Sequence, residues 1–254
     1  MQISDFGIRN IDLMPDKGRT IILYGKAGIG KTTLLNTLFG KILLINIDCG
    51  EQVLDPKNNN NEFSICTLVS RKLQNPIESV NKLEAFIDFL MTQEVLEWDY
   101  IVVDNISELE DIYADALRKK RNQVYSEDFL NIDVGVDILR ILKKMRNLTY
   151  LGPDVLYLAW EKTVKITDSD GEIHSEKGPM IMGSTQLKIE GLSDFVMAMR
   201  VDKKGGRYLQ LDADNKYAAK KRTEPGREYP SIIQCPLEDK NILQCFFDLI
   251  HGRN

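Results

Sequence analysis

The sequence predicts an α/β fold: a mainly parallel sheet with helices on both faces and an antiparallel extension near the carboxyl end. Three observations carry this prediction. Short apolar runs alternate with amphipathic stretches through the first two-thirds of the chain. Residues Gly25 to Thr32 fit the pattern G-x-x-x-x-G-K-[ST], set between one such run and a helical pattern. Three of the runs end in an acid, at Asp48, Asp104 and Glu161, and open parallel sheets bind ligands at the carboxyl ends of their strands.

In chain order, residues 1–19 read as a polar lead-in with a turn at 15–18, and Thr20–Tyr24 as a buried parallel strand. Leu34, Leu35, Leu38 and Phe39 give the next helix an apolar stripe that Gly40 stops. A second strand spans Lys41–Asp48, a loop Asp55–Glu62, and a short strand Phe63–Val69. Asn75 with Pro76 opens a helix whose stripe runs from Ile77 to Met91. Trp98–Asn105 is another strand, and Ser107 with Glu110 reads as a capping box for the helix that follows. After a polar connection come a helix over Val134–Leu148 and a strand over Val155–Glu161. Residues 162–182 read as a protruding hairpin, Thr185–Glu190 as a short helix, and 195–201 with 207–211 as strands joined at Gly205-Gly206. Residues 237–251 close the chain as a helix. With no internal repeat and no long linker, 1–254 is expected to form one domain.

The stretch from Gly25 to Thr33 carries the chemistry and predicts a P-loop NTPase. The loop is Gly25, Lys26, Ala27, Gly28, Ile29, Gly30, Lys31, Thr32 and Thr33. Its glycines let successive backbone N–H groups turn inward around a triphosphate. Lys31 would reach the β- and γ-phosphates, and the Thr32 hydroxyl would bind Mg²⁺. The loop then feeds a helix whose positive end faces the phosphates. ATP and Mg²⁺ are therefore the expected cofactors.

Composition narrows the class. At 43% hydrophobic and 28% charged, the 254 residues suit a soluble globular protein. No apolar run is long enough to span a bilayer, and Asp5, Arg9, Asp12 and Asp16 break any signal-like start. Cys49, Cys66, Cys235 and Cys245 lack metal-ligand spacing, and with two histidines a zinc site is not expected. Reduced thiols in a cytoplasm are the simpler reading. The net charge of −5 argues against indiscriminate nucleic-acid binding, although basic residues cluster at 118–121, 140–146, 203–207 and 220–222.

Asp104 follows a four-residue run of apolar and aromatic character, the arrangement of a carboxylate that holds Mg²⁺. Many P-loop ATPases place a glutamate directly after it, where this chain has Asn105. The base that activates water must come from elsewhere, and Asp48 and Glu51 at the neighbouring strand's exit both remain candidates, with Asp48 favoured. Glu161 would sense the γ-phosphate and pass its presence to the 162–182 hairpin.

Taken with Asn46–Gly50, Asp99–Leu109, Ala159–Lys162 and Ala219–Thr223, the loop gives a chain that resembles the RecA-like phage ATPases of the AAA_24 type, which include the Sak-type single-strand annealing proteins. Similar proteins carry a glutamate where Asp48 stands and a histidine where Trp160 stands. The resemblance implies a RecA-like core, ATP hydrolysis, single-stranded DNA binding, strand annealing, and assembly into a ring or filament. It adds a single-strand-binding protein or host recombinase as partners, with no membrane, in the host cytoplasm. It also implies that Lys220, Lys221 and Arg222 complete the nucleotide site of a neighbouring subunit. DNA would then lie against the hairpin, with Lys162, Lys165 and Lys177 following phosphates. A nucleoside or nucleotide kinase with a basic lid at 203–227, or an assembly switch with little turnover, are the competing readings.

Overall fold

The computed structural model describes residues 17–55, 60–68, 75–121, 127–167, 173–224, 226–234 and 241–253. Its elements are β1 (Thr20–Gly25), α1 (Lys31–Leu34), β2 (Gly40–Asn46), β3 (Asn61–Cys66), α2 (Pro76–Met91), β4 (Tyr100–Asp104), α3 (Ile106–Arg121) and α4 (Glu127–Asn147). They continue with β5 (Asp154–Thr167), β6 (Ile173–Pro179), α5 (Gly183–Leu192), β7 (Phe195–Val201), β8 (Arg207–Gln210), β9 (Lys220–Lys221), β10 (Ile232–Gln234) and α6 (Ile242–His251). Most of the lead-in, the hairpin tip at 168–172, the 122–126 connection and the start of the expected final helix lie outside the described residues.

The sheet runs β10-β8-β7-β1-β5-β4-β2-β3, with β6 paired to β5 and β9 to β7. Strands β3, β2, β4, β5, β1 and β7 are mutually parallel, while β8, β9 and β10 are antiparallel additions. This is the mixed α/β arrangement of a P-loop, RecA-like core with an antiparallel carboxyl-terminal extension.

Side-chain alternation splits the core in two. Ile22, Tyr24, Val103, Tyr157 and Ala198 join the cluster that α2, α3, α4 and α5 cover. Ile21, Leu23, Val102, Leu156 and Met197 join the cluster under α1 and α6. Every residue of β1 and β4 is buried because both sheet faces are covered. Fully burying each large aliphatic side chain contributes about 1.5–3 kcal/mol. Around α6, Phe246 meets Phe195 and Phe247 edge-on with centroids 5.3 Å apart, and Tyr100 meets Phe247 at 4.6 Å.

Some local expectations are corrected. The helix after the phosphate loop ends at Leu34 and gives way to a 3₁₀ turn at Leu35–Thr37, leaving Phe39 exposed. Asn75 precedes α2 in an extended conformation with Pro76 in the first turn, but its side chain makes no cap bond. Ser107 and Glu110 do not form a capping box. Asn105 Oδ1 accepts the Glu108 N–H at 2.8 Å and so opens α3 itself. Ser107 instead accepts the Trp160 N–H at 3.0 Å, and both Glu110 oxygens accept the Met182 N–H, at 2.8 and 2.9 Å. The tertiary partners win because β5 and the segment after β6 bring unpaired N–H groups against α3.

Glu110 gives stability a pH dependence. Burial pushes its carboxyl from 4.5 up to about 7, against the Met182 N–H and Lys162. An acid whose folded pKa is raised contributes stability that is complete below the unfolded value and lost as pH rises through the folded one. Glu110→Gln removes this slope while keeping one acceptor for Met182. The stability of wild type relative to the variant, measured by urea unfolding, is expected to fall by up to roughly 3 kcal/mol between about pH 4.5 and pH 8. A difference that stays constant over that range would refute the assignment.

Candidate functional site

The site forms where β1, β4 and β2 end, beside the middle of β5. Strand β5 lies between β1 and β4, with Gly25 opposite Trp160 and Asp104 opposite Leu158 and Asn46. That register brings the loop, Asp104, Asp48 and Glu161 to one edge. Gly28 and Gly30 have φ of +74° and +102°, which L side chains rarely adopt. A Cβ on Gly25 would lie 2.9 Å from the Met199 carbonyl, so only glycine fits between β1 and β7 there.

Lys31 is buried and donates to the carbonyls of Gly25 and Lys26 at 2.9 and 3.0 Å. Burial holds its ammonium below the usual range, while Asp104, Asp48 and Glu161 pull it back up. The Thr32 hydroxyl donates to Asp104 Oδ2 at 2.5 Å. Asp104 is 1% exposed. Burial, then the Asp48 carboxylate, push its pKa up to about 7, with Thr32 and Lys31 opposing.

These residues fit a magnesium nucleotide. The loop backbone is open at Gly28, where an added Cβ would meet nothing within 4 Å. Among the described residues no group of three or more His, Cys, Asp or Glu could hold a metal ion. A nucleotide-bound Mg²⁺ takes one or two protein oxygens and fills the remaining positions with phosphate oxygens and water. Thr32 Oγ1 and an Asp104 oxygen are the groups that would hold it.

Asn105 had no role assigned from the sequence. With Oδ1 committed to the Glu108 N–H, its Nδ2 donates to Asp48 Oδ2 at 2.9 Å. The Gly50 N–H reaches Asp48 Oδ1 at 3.1 Å. Asp48 is thus oriented from two sides and lies in the field of Lys31 and Asp104. Glu51 is held differently: its Oε2 accepts from Asn46 Nδ2 at 2.6 Å. Glu161 is paired to Lys177 at 2.8 Å.

The chain belongs to the AAA_24 family of AAA domains. Its family pattern matches residues 17–223, well over half of the chain. No curated protein matches. An AAA_24 domain is of the nucleotide-binding, ATP-hydrolysing class, which typically works with Mg²⁺. Among the described residues no helix is long and apolar enough to cross a membrane.

The remaining candidates are dispersed in this AAA_24 chain. The Lys162 ammonium bonds the Ile181 carbonyl and is half-buried, and Lys177 is spent on Glu161 and lies 5.3 Å from the Tyr217 ring centre. Lys165 is exposed on the hairpin. Lys220 donates to the carbonyls of Glu190, Gly191 and Ser193, closing the end of α5. Lys221 reaches Asp212 and the Tyr229 carbonyl. Arg222 pairs with buried Asp194 at 2.6 Å while its side chain stays 47% exposed. Asp194 also accepts the Thr20 N–H, so Arg222 lies at the amino end of β1, away from the loop. Over its described residues the 203–227 stretch contributes β8 and β9 to the sheet rather than the free lid a kinase needs.

Proposed function

We propose that the protein is a magnesium-dependent ATPase that binds single-stranded DNA and promotes strand annealing, assembled as a ring or filament in a host cytoplasm. The observation that carries the reading is the Thr32–Asp104 contact at 2.5 Å, next to buried Lys31. When bound, Mg²⁺ neutralises phosphate charge. The chain does the rest. Lys31 exchanges its loop carbonyls for phosphate oxygens. Asp48, oriented by Asn105, accepts the proton of an attacking water, which takes over the task of the glutamate that Asn105 replaces.

Glu161 links this chemistry to the hairpin. Its ion pair with Lys177 ties the strand exit beside Gly25 to β6, so a change in Glu161's partner changes how β6 is held. Of the three carboxyl-terminal basic residues, Arg222 is the one whose exposure suits a role on the next subunit. Lys165 suits DNA phosphates for the same reason. The test measures ATP turnover with and without single-stranded DNA, alongside gel filtration with ATP. Several-fold stimulation and an ATP-dependent shift to larger species are expected. Turnover indifferent to DNA by a protein that stays monomeric would remove the DNA and assembly reading.

A further inference from the structure

We propose that Arg207 is a second cationic anchor for the nucleotide's phosphate chain, supplied by the same subunit from the side of the loop opposite the magnesium ligands. The inference rests on the nucleotide-binding reading above and extends it to a residue that reading does not use. Sequence alone groups Arg207 with Lys203 and Lys204 as one basic block. The fold separates it from them.

Arg207 begins β8, and β8 pairs with β7, the strand beside β1. Its Nε donates to the Ile29 carbonyl at 3.0 Å. A Cβ built on Gly30 would lie 3.3 Å from that Nε and 3.5 Å from Nη2, so the guanidinium rests against the loop backbone just before Lys31. The β7–β8 turn fixes this position. Asp202 Oδ1 accepts the N–H groups of Lys204 and Gly206 at 2.7 and 2.8 Å, and the Asp202 N–H reaches the Gly206 carbonyl at 2.8 Å.

Arg200, on the neighbouring β7, is committed to Asp214. Among the described residues no carboxylate pairs with Arg207, and its remaining N–H groups are the planar donor set that phosphate oxygens take. Because β4, which ends in Asp104, lies beyond β5 on the other side of β1, Arg207 and Asp104 flank the loop. An anchor on Arg207's side addresses phosphates that ADP and ATP share.

Titration of a fluorescent ADP and a fluorescent ATP, each with Mg²⁺ and with chelator, tests this. Arg207→Ala is expected to weaken both nucleotides by roughly 10- to 100-fold, with and without Mg²⁺. Arg207→Lys should recover part of the loss, and the melting temperature without nucleotide should stay near wild type. Wild-type affinity in Arg207→Ala would overturn the proposal. So would an affinity loss matched by a drop in melting temperature that Arg207→Lys cures without restoring binding, since Arg207 would then only stitch the hairpin to the loop. Lys31→Ala serves as control: if wild type binds neither nucleotide, or Lys31→Ala binds both as wild type does, the nucleotide reading itself fails.

Discussion

Asp104→Asn is expected to cut magnesium-dependent ATP turnover by roughly 100- to 1,000-fold while leaving the nucleotide-free protein as stable as wild type or more so. The two halves of the prediction have one cause. Asp104 is buried at 1% exposure, beside Asp48 and against Thr32, and a carboxylate in that setting costs stability. Asparagine keeps the shape and an oxygen for the Thr32 hydroxyl, but gives up the charge that a divalent cation requires. Turnover assays at saturating Mg²⁺ and urea unfolding without it measure the two effects. Loss of turnover together with loss of folding stability would mean that Asp104 serves the core rather than catalysis.

Arg222→Ala is expected to reduce turnover of the assembled protein by roughly 100-fold or more, the scale at which an arginine supplied to a phosphoryl-transfer site acts. Its ion pair with Asp194 complicates the readout, since the variant leaves a buried carboxylate with one partner fewer. Mixing resolves this. Lys31→Ala subunits have an intact Arg222 and a dead loop, whereas Arg222→Ala subunits have the reverse. If Arg222 acts on its neighbour, mixed assemblies recover part of the turnover that neither variant has alone. No recovery, with both variants folded and assembled, would reduce Arg222 to a clamp on Asp194.

The parts of this protein written in local pattern were readable before any coordinates. The loop needs glycines at fixed offsets, and buried parallel strands need unbroken apolar runs, so Gly25–Thr33 and the run before Asp104 stood out. The start of α2 followed from Pro76, and its buried face from its stripe. What escaped depends on neighbours that only the sheet brings together. Strand β9 is two residues long and exists because β7 offers Phe195 and Val196 as partners. Asn105 looked like a missing glutamate until β2 placed Asp48 beside it. Lys220 and Lys221 read as part of one basic cluster, and only the fold shows them bonded to the end of α5 and to the Asp212 turn. Arg207 carried no signal of its own beyond its basic block, because nothing in one dimension says that β8 starts over Ile29.

The Tyr24 hydroxyl lies 2.6 Å from the Ala218 carbonyl and 2.9 Å from that of Lys177, its one hydrogen shared between them. Burial, then the surrounding glutamates, push its pKa up, so the hydroxyl keeps its proton at neutral pH. A rivet of this kind joins three separate stretches of chain one residue before the glycine that opens the loop. The root of the hairpin and the segment leading to Arg222 are thus fastened to one point on β1, directly ahead of the loop.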